Sequence, residues 1–492
     1  MTPLSIFSVN LLSEHLLLLG SILIFVSVLV SKVWTRFGVP SLLLFLLLGM
    51  AAGADGIGVR FEEYEWAESI GHFAMTIILF TAGLETSASE TRPVLKRGVM
   101  LSTAGVILTV LFTGTFIALV FGARSGAPIL ACFLLAAVLS PTDSASVFSV
   151  LHGKRLHLRE HLGPTLELES GSNDPMAYSL TLILSQLLVS GKAMGPGAQF
   201  FTGLGLLVLQ LAVGFAVGVA VGFLSKWVLD RLRLPGSAIY SVFILSIGFF
   251  ANGLAFLLRG NGLVAIYIVA VIIGNRARIP RKRDVLNFFE GMTWLMQLVM
   301  FLMLGLLARP SQMFKVLVPA LLIALFMMLV ARPAGVFLSL LPSRDLPFKA
   351  KLFTSWVGLK GAGPILFSLY PVVVGLEGAS DMFNIVFLIT LFSLLLQGST
   401  LGPVAKLLKL SYDEDPQAET FGMEIPEEMG MLRDHTVTEE DLSRGATLRD
   451  LNLPHGIRVM MVRRGDKYLV PHGSMPLEVG DRLVIIMGET DD

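Results

Sequence analysis

The chain of 492 residues is poor in the features that mark soluble proteins. It has one cysteine, Cys132, so an internal disulfide and a secreted disulfide-stapled scaffold are excluded. Charged residues make up 15%, against about 25% in a typical soluble chain, which excludes a soluble enzyme and a disordered chain. Only 5 Trp and 7 Tyr stand beside 33 Phe, so there is little material for stacking on nucleic-acid bases, and no nucleic-acid partner is expected. No Cys/His cluster offers a transition-metal site. Neither HExxH nor GxSxG occurs, which argues against an intramembrane enzyme. No filter sequence of the TVGYG type occurs, which argues against a potassium channel.

What is present is apolar: 54% hydrophobic residues and a mean hydropathy of +0.75. A helical span of a bilayer takes about 20 mostly apolar residues. Thirteen segments of suitable character run over 14–31, 39–54, 66–84, 98–121, 127–151, 160–190, 199–229, 237–258, 262–275, 287–308, 313–341, 351–376 and 382–408. The first lacks a basic start and a small-residue cleavage site, so it reads as a retained span rather than a signal peptide. Alternate loops carry 21 and 6 Lys and Arg, and the basic set is expected on the cytoplasmic side. The N-terminus is then outside and the C-terminus inside.

Net charge is zero but unevenly distributed. Residues 1–410 carry 29 Lys and Arg against 19 Asp and Glu, and residues 411–492 carry 8 against 18. A basic membrane part is thus joined to an acidic tail. Residues 411–430 read as an acidic linker. Residues 431–492 read as a small α+β cytoplasmic domain, with β-like runs at 457–463, 467–470 and 482–487. Such a domain is near the lower size limit for folding alone, and dimerisation would help it.

A charge at the bilayer centre costs about 2.5–3.5 kcal/mol on insertion scales, so charged residues there are functional candidates. Asp143, Asp174, Arg332 and Lys360 lie mid-segment in segments five, six, eleven and twelve, and Glu169 lies one to two turns from Asp174. Pro141 breaks the helix beside Asp143, and Gly358, Gly361, Gly363 and Pro364 interrupt the helix around Lys360. Paired helix breaks mark transporter sites. Segments five and twelve are seven apart, which suits two inverted six-helix repeats. At helical spacing Ser170 and Asp174 share one face, and Glu169 and Asn173 the next. Their oxygens suit a hard alkali cation. Three carboxylates face two cations, leaving the site one positive charge short. One proton or one monovalent cation restores neutrality, as electroneutral one-for-one exchange requires. A proton-coupled organic-solute transporter needs a larger midplane pocket and stays open as an alternative.

Thr142-Asp143 in a broken helix, Glu169-Ser170-x-x-Asn173-Asp174 one helix later, Arg332, and a basic residue in a second broken helix together resemble the monovalent cation:proton antiporter-1 family, NhaP type. The resemblance covers residues 14–410. It implies that Asp174 binds cation and proton by turns, with Thr142, Asp143, Ser170 and Asn173 around it. It implies a stabilising Glu169–Arg332 ion pair, and a Lys360 charge offsetting the dipoles of the broken helices where many relatives carry arginine. It also implies a homodimer in a bacterial inner membrane, working by alternating access. The electrogenic relatives typically carry two aspartates at the Asn173-Asp174 position, so Asn173 agrees with the charge count.

The tail resembles the TrkA-C domain, through Ile457-Arg458-Val459, Arg463-Arg464-Gly465 and Gly480-Asp481-Arg482-Leu483-Val484. No GxGxxG occurs there, so NAD is not expected. No cofactor is expected at all, beyond a small-molecule or nucleotide effector at an unknown site within 431–492. Antiporters with this tail are associated with potassium, which is preferred here over sodium, and sodium-selective exchange remains the alternative. Gly214, Gly218 and Gly222 read as a close-packing stripe, available also as a subunit contact. The Met292–Met303 stretch reads as packing, Glu85 as an interfacial residue near the cytoplasmic side, and Arg276–Arg283 as a topology signal in contact with anionic lipid.

Overall fold

The computed structural model describes residues 14–34, 41–122, 126–153, 156–190, 195–343, 346–413, 432–442, 445, 447–451, 457–465 and 467–487. It divides into two compact units, residues 1–412 and 413–492. Residues 414–430 of the expected acidic linker lie outside the described residues.

The first unit is helical. Its elements are α1 (Glu14–Trp34), α2 (Ser41–Ala52), α3 (Tyr64–Glu85), α4 (Ala88–Gly122), α5 (Ile129–Val138), α6 (Ser144–Gly153), α7 (Leu162–Ser190) and α8 (Pro196–Leu229). They continue with α9 (Ser237–Leu257), α10 (Gly262–Arg276), α11 (Lys282–Leu307), α12 (Pro310–Ser339), α13 (Phe348–Trp356), α14 (Ala362–Val373) and α15 (Ala379–Leu407). Each of the thirteen expected segments falls on one of these helices or on a broken pair. Among the described residues, seven helices are long and apolar enough to cross a membrane, and α2, α5, α10 and α14 are shorter apolar helices.

Two segments are broken where their sequences demand it. Ser140-Pro141 ends α5, because proline has no amide to carry the ladder on. The chain restarts at α6 with Asp143 as its cap. Asp143 Oδ1 accepts from the Ser146 amide at 3.2 Å, and Oδ2 accepts from the Ser146 hydroxyl at 2.5 Å. Residues 357–361 separate α13 from α14. The two breaks touch, since the Asp143 amide donates to the Leu359 carbonyl at 2.8 Å. Gly361 allows this approach, because a Cβ there would overlap the Asp143 carboxylate.

Other helices meet through small residues. A Cβ on Gly49 of α2 would stand 2.9 Å from Gly305 Cα of α11, so the two backbones touch. The Gly214/Gly218/Gly222 stripe of α8 is filled by α10 of the same chain, with Gly218 facing the Ala265 carbonyl and Gly222 facing Ile272. In α12 a π-turn at Met327–Ala331 precedes Arg332-Pro333. Proline removes the amide that would bond Leu329, and the wider turn absorbs the defect.

The second unit holds a four-stranded antiparallel sheet of β1 (Leu432–Thr436), β2 (Ile457–Arg464), β3 (Lys467–Leu469) and β4 (Arg482–Met487), in the order β1-β4-β2-β3. Its core is Val437, Val462, Met475, Leu477, Leu483 and Ile485. Gly465 and Gly480 supply the positive φ of two turns, at +58° and +93°. Strand β1 was not among the expected runs. Its sequence, Leu-Arg-Asp-His-Thr, is charged because it lies at a sheet edge, where charge blunts further pairing.

Candidate functional site at the crossing of two broken helices

The expected site residues of the first unit gather around the crossing. α7 runs beside it and carries Glu169, Ser170, Asn173 and Asp174 on successive turns. Three of the four hold other groups in place. The Ser170 hydroxyl donates to the Thr142 carbonyl at 2.9 Å and accepts from the Ser144 amide at 3.1 Å, which ties α7 to the break. Asn173 Nδ2 donates to Thr142 Oγ1 at 2.7 Å. Glu169 pairs with Arg332 of α12 at 2.5 Å, both side chains almost wholly buried. Glu169 Oε1 and Oε2 and Arg332 Nε and Nη2 make no hydrogen bond, so charge holds the pair.

Lys360 lies in the second break and reaches into the first. Its Nζ donates to the carbonyls of Ser140 and Pro141 at 3.2 and 3.0 Å, two groups that the end of α5 leaves without helical partners. Its own amide donates to Ser393 Oγ at 2.9 Å. Ser393 donates to Gln397 Oε1 at 2.6 Å, and Gln397 Nε2 donates to the Trp356 carbonyl at 2.8 Å. This relay from α15 holds the second break, and it was not anticipated from sequence. Polar residues at i and i+4 on an apolar helix were the available signal.

Beside the crossing lies a cavity of about 50 Å³. It is lined by Thr142, Asp143, Asp174, Gln297, the Gly361–Pro364 turn, and apolar residues including Met75 and Met300. Ser170 and Asn173 are not in its wall; they sit behind Thr142. Asp143 is occupied by Ser146. Asp174, in contrast, makes no hydrogen bond or ion pair with any described residue. Tyr178, one turn further along α7, stacks on His72 of α3 at 5.4 Å and 29°. Asn261 Nδ2 donates to the Pro175 carbonyl at 2.8 Å and to Ser179 Oγ at 2.7 Å, and so secures α7 where Pro175 interrupts it.

Gln297 is the cavity residue that the sequence reading missed. It lies inside the Met292–Met303 stretch that was assigned to packing. Met300 also lines the cavity. Among the described residues, no group of three or more His, Cys, Asp or Glu is placed to hold a metal ion.

Two crossing helix breaks, a buried ion pair beside them and an unpartnered carboxylate in a small cavity define a cation/proton antiporter of the broken-helix type. The family model for the transmembrane sodium/hydrogen exchanger matches residues 21–407, and the chain belongs to that family. The TrkA-C domain model matches residues 432–491. The chain is 37% identical over 473 residues to the "K(+)/H(+) antiporter NhaP2" of Shewanella baltica, covering 95% of this chain and 80% of the relative. It is 34% identical over 479 residues to the "K(+)/H(+) antiporter NhaP" of Alkalimonas amylolytica, covering 96% and 81%. The fold is shared with the sodium proton antiporter MjNhaP1 of Methanocaldococcus jannaschii, with a TM-score of 0.68 at 21% identity, covering 80% of this chain and 99% of that one.

Proposed function

We propose that the protein exchanges potassium, and sodium as a second accepted cation, for protons in an electroneutral one-for-one cycle. Cation and proton compete for Asp174 by alternating access. The observation that carries this reading is the Asp174 carboxylate, which has no protein partner and faces a cavity of about 50 Å³. An unpaired carboxylate at membrane depth is costly unless a proton or cation neutralises it. The local charge count supports the one-for-one ratio: Asp143, Asp174 and Glu169 against Arg332 and Lys360. The names of the two bacterial relatives support potassium, and a more distant relative, 28% identical, is named "Na(+)/H(+) antiporter NhaH". A proton-coupled carrier of organic solutes is disfavoured by size, since small-molecule pockets run to roughly 300–1,000 Å³.

In this reading Thr142 offers an oxygen to the cation. Asp143, Ser170 and Asn173 hold the break in shape. Glu169–Arg332 anchors α7 to α12, and Lys360 fixes the ends of α5 and α14. The chain crosses a bacterial inner membrane thirteen times as a homodimer, with the N-terminus outside and the acidic tail in the cytoplasm. The tail regulates exchange. Asp174→Asn tests the assignment: it is expected to insert normally and to lose cation-driven proton movement in proteoliposomes. Retained exchange would remove Asp174 from its role.

A further inference from the structure

Gln297 stands on α11, on the wall of the cavity that faces the two breaks. α11 packs on α2, α3 and α9 and touches α14, which follows the second break, while α7 packs on α5, α4 and α8 and touches α3 and α10. The cavity lies where α7 and the two breaks meet α11, which contribute Asp174 and Thr142 on the one hand and Gln297 on the other.

Three observations set Gln297 apart. Among the described residues lining the cavity, it is the only side-chain amide. Its side chain, partly exposed where it meets the cavity, makes no hydrogen bond with any described residue. It also ends a polar track on α11: Glu290, Thr293 and Gln297 follow at helical spacing. Thr293 Oγ1 donates to Thr81 Oγ1 of α3 at 2.8 Å, and Glu290 stands within electrostatic reach of Glu85 at the end of α3. The track runs from the Glu85 end of α3 to the cavity, so a cation entering along it meets Gln297 opposite Asp174.

We propose that Gln297 is a cation ligand supplied by the wall opposite Asp174, its side-chain carbonyl oxygen replacing part of the ion's hydration shell. This deepens the antiporter reading and rests on it. The chemistry separates the two substrates. A proton is held by the Asp174 carboxylate alone, as a covalent O–H. An alkali cation needs several oxygens, and Gln297 adds one to those of Asp174, Thr142 and Asp143 in the cavity wall. Gln297 thus acts on the cation half of the cycle and leaves the proton half untouched.

The test measures exchange in proteoliposomes as a function of cation concentration at fixed pH, and of pH at saturating cation, for wild type, Gln297→Leu, Gln297→Met and Gln297→Glu. Removing one oxygen from the cation's shell strips a charge–dipole contact. Gln297→Leu and Gln297→Met are therefore expected to raise the half-saturating cation concentration by at least about tenfold. The pH dependence at saturating cation stays as in wild type. Gln297→Glu, which keeps an oxygen, is expected to hold or lower the half-saturating concentration. Met is included because Met75 and Met300 already pack in this wall, so at least one substitution inserts. Unchanged half-saturation in an inserted, active Gln297→Met protein would overturn the ligand role and leave the antiporter reading standing. Cation-dependent thermal stabilisation in detergent is read in parallel, with choline as reference. Stabilisation by cation that Gln297→Met weakens, in a protein without any exchange, would keep the ligand and overturn the antiporter reading.

Discussion

The backbone amide of Asp143 donates to the backbone carbonyl of Leu359 at 2.8 Å, joining two helix breaks that lie more than two hundred residues apart in sequence. The contact depends on Gly361, whose missing side chain leaves room for the Asp143 carboxylate. Gly361→Ala is expected to destabilise the protein by about 1–3 kcal/mol, the usual range for overpacking, and to suppress exchange. Thermal unfolding in detergent and proteoliposome exchange check both halves. Wild-type values in both would mean that the breaks are not packed this closely.

The Glu169–Arg332 pair is buried and single-contact, so removing one partner strands a charge. Glu169→Gln or Arg332→Met alone is expected to cost about 3–5 kcal/mol, whereas Glu169→Leu with Arg332→Leu together costs less than the sum of the single losses. A double-mutant cycle on unfolding midpoints gives the coupling. Additive losses would show that the two side chains do not act as a pair.

The tail carries three aspartates held below the ordinary carboxylate range. At Asp481, burial pushes upward but is outweighed by the Arg464 guanidinium, which donates to both oxygens at 2.9 and 2.7 Å, and by the Glu478 amide. The Thr447 hydroxyl and amide lower Asp450, and the Thr438 amide foremost lowers Asp441. A depressed carboxylate stabilises the folded state above its unfolded value of about 3.9, and that contribution is lost as pH falls through the lowered value. Amide protection of β2 and β4 in the full chain is therefore expected to hold from pH 7 to 5 and to fall below about pH 4. Arg464→Gln is expected to flatten this acid dependence. Protection that weakens between pH 7 and 5 would point to histidine instead.

Deleting residues 411–492 is expected to leave exchange in place while shifting its pH or effector dependence. Matched profiles of the full and shortened proteins, with both shown to be inserted, would end the regulatory assignment of the tail.

Much of this architecture was legible in the sequence, because its signals are strong and local. A twenty-residue apolar run, a proline beside a buried aspartate and three glycines around a lysine each have few physical meanings. Charge alone showed that Glu169 needed a positive partner, and the family resemblance singled out Arg332, with which it pairs. Other features were not legible. Gln297 is one amide in a Met-rich run, and only the fold reveals that this turn of α11 faces Asp174. The Ser393–Gln397–Trp356 relay spans two helices joined by no local pattern. The glycine stripe of α8 fitted a subunit contact or an internal one, and α10 of the same chain fills it. Ser170 faced the right way for a ligand, yet its hydroxyl is spent on the Thr142 carbonyl and the Ser144 amide.

The central claim is electroneutral exchange of a monovalent cation for a proton at Asp174. It is tested most directly in sealed proteoliposomes with an imposed pH gradient, a pH-sensitive dye and the membrane voltage clamped at several values. Potassium, then sodium, is added to wild type and to Asp174→Asn. The account predicts cation-driven proton movement in wild type at a rate independent of voltage, larger with potassium, and none in Asp174→Asn. A rate that changes steeply with voltage, or movement that survives Asp174→Asn, would contradict it.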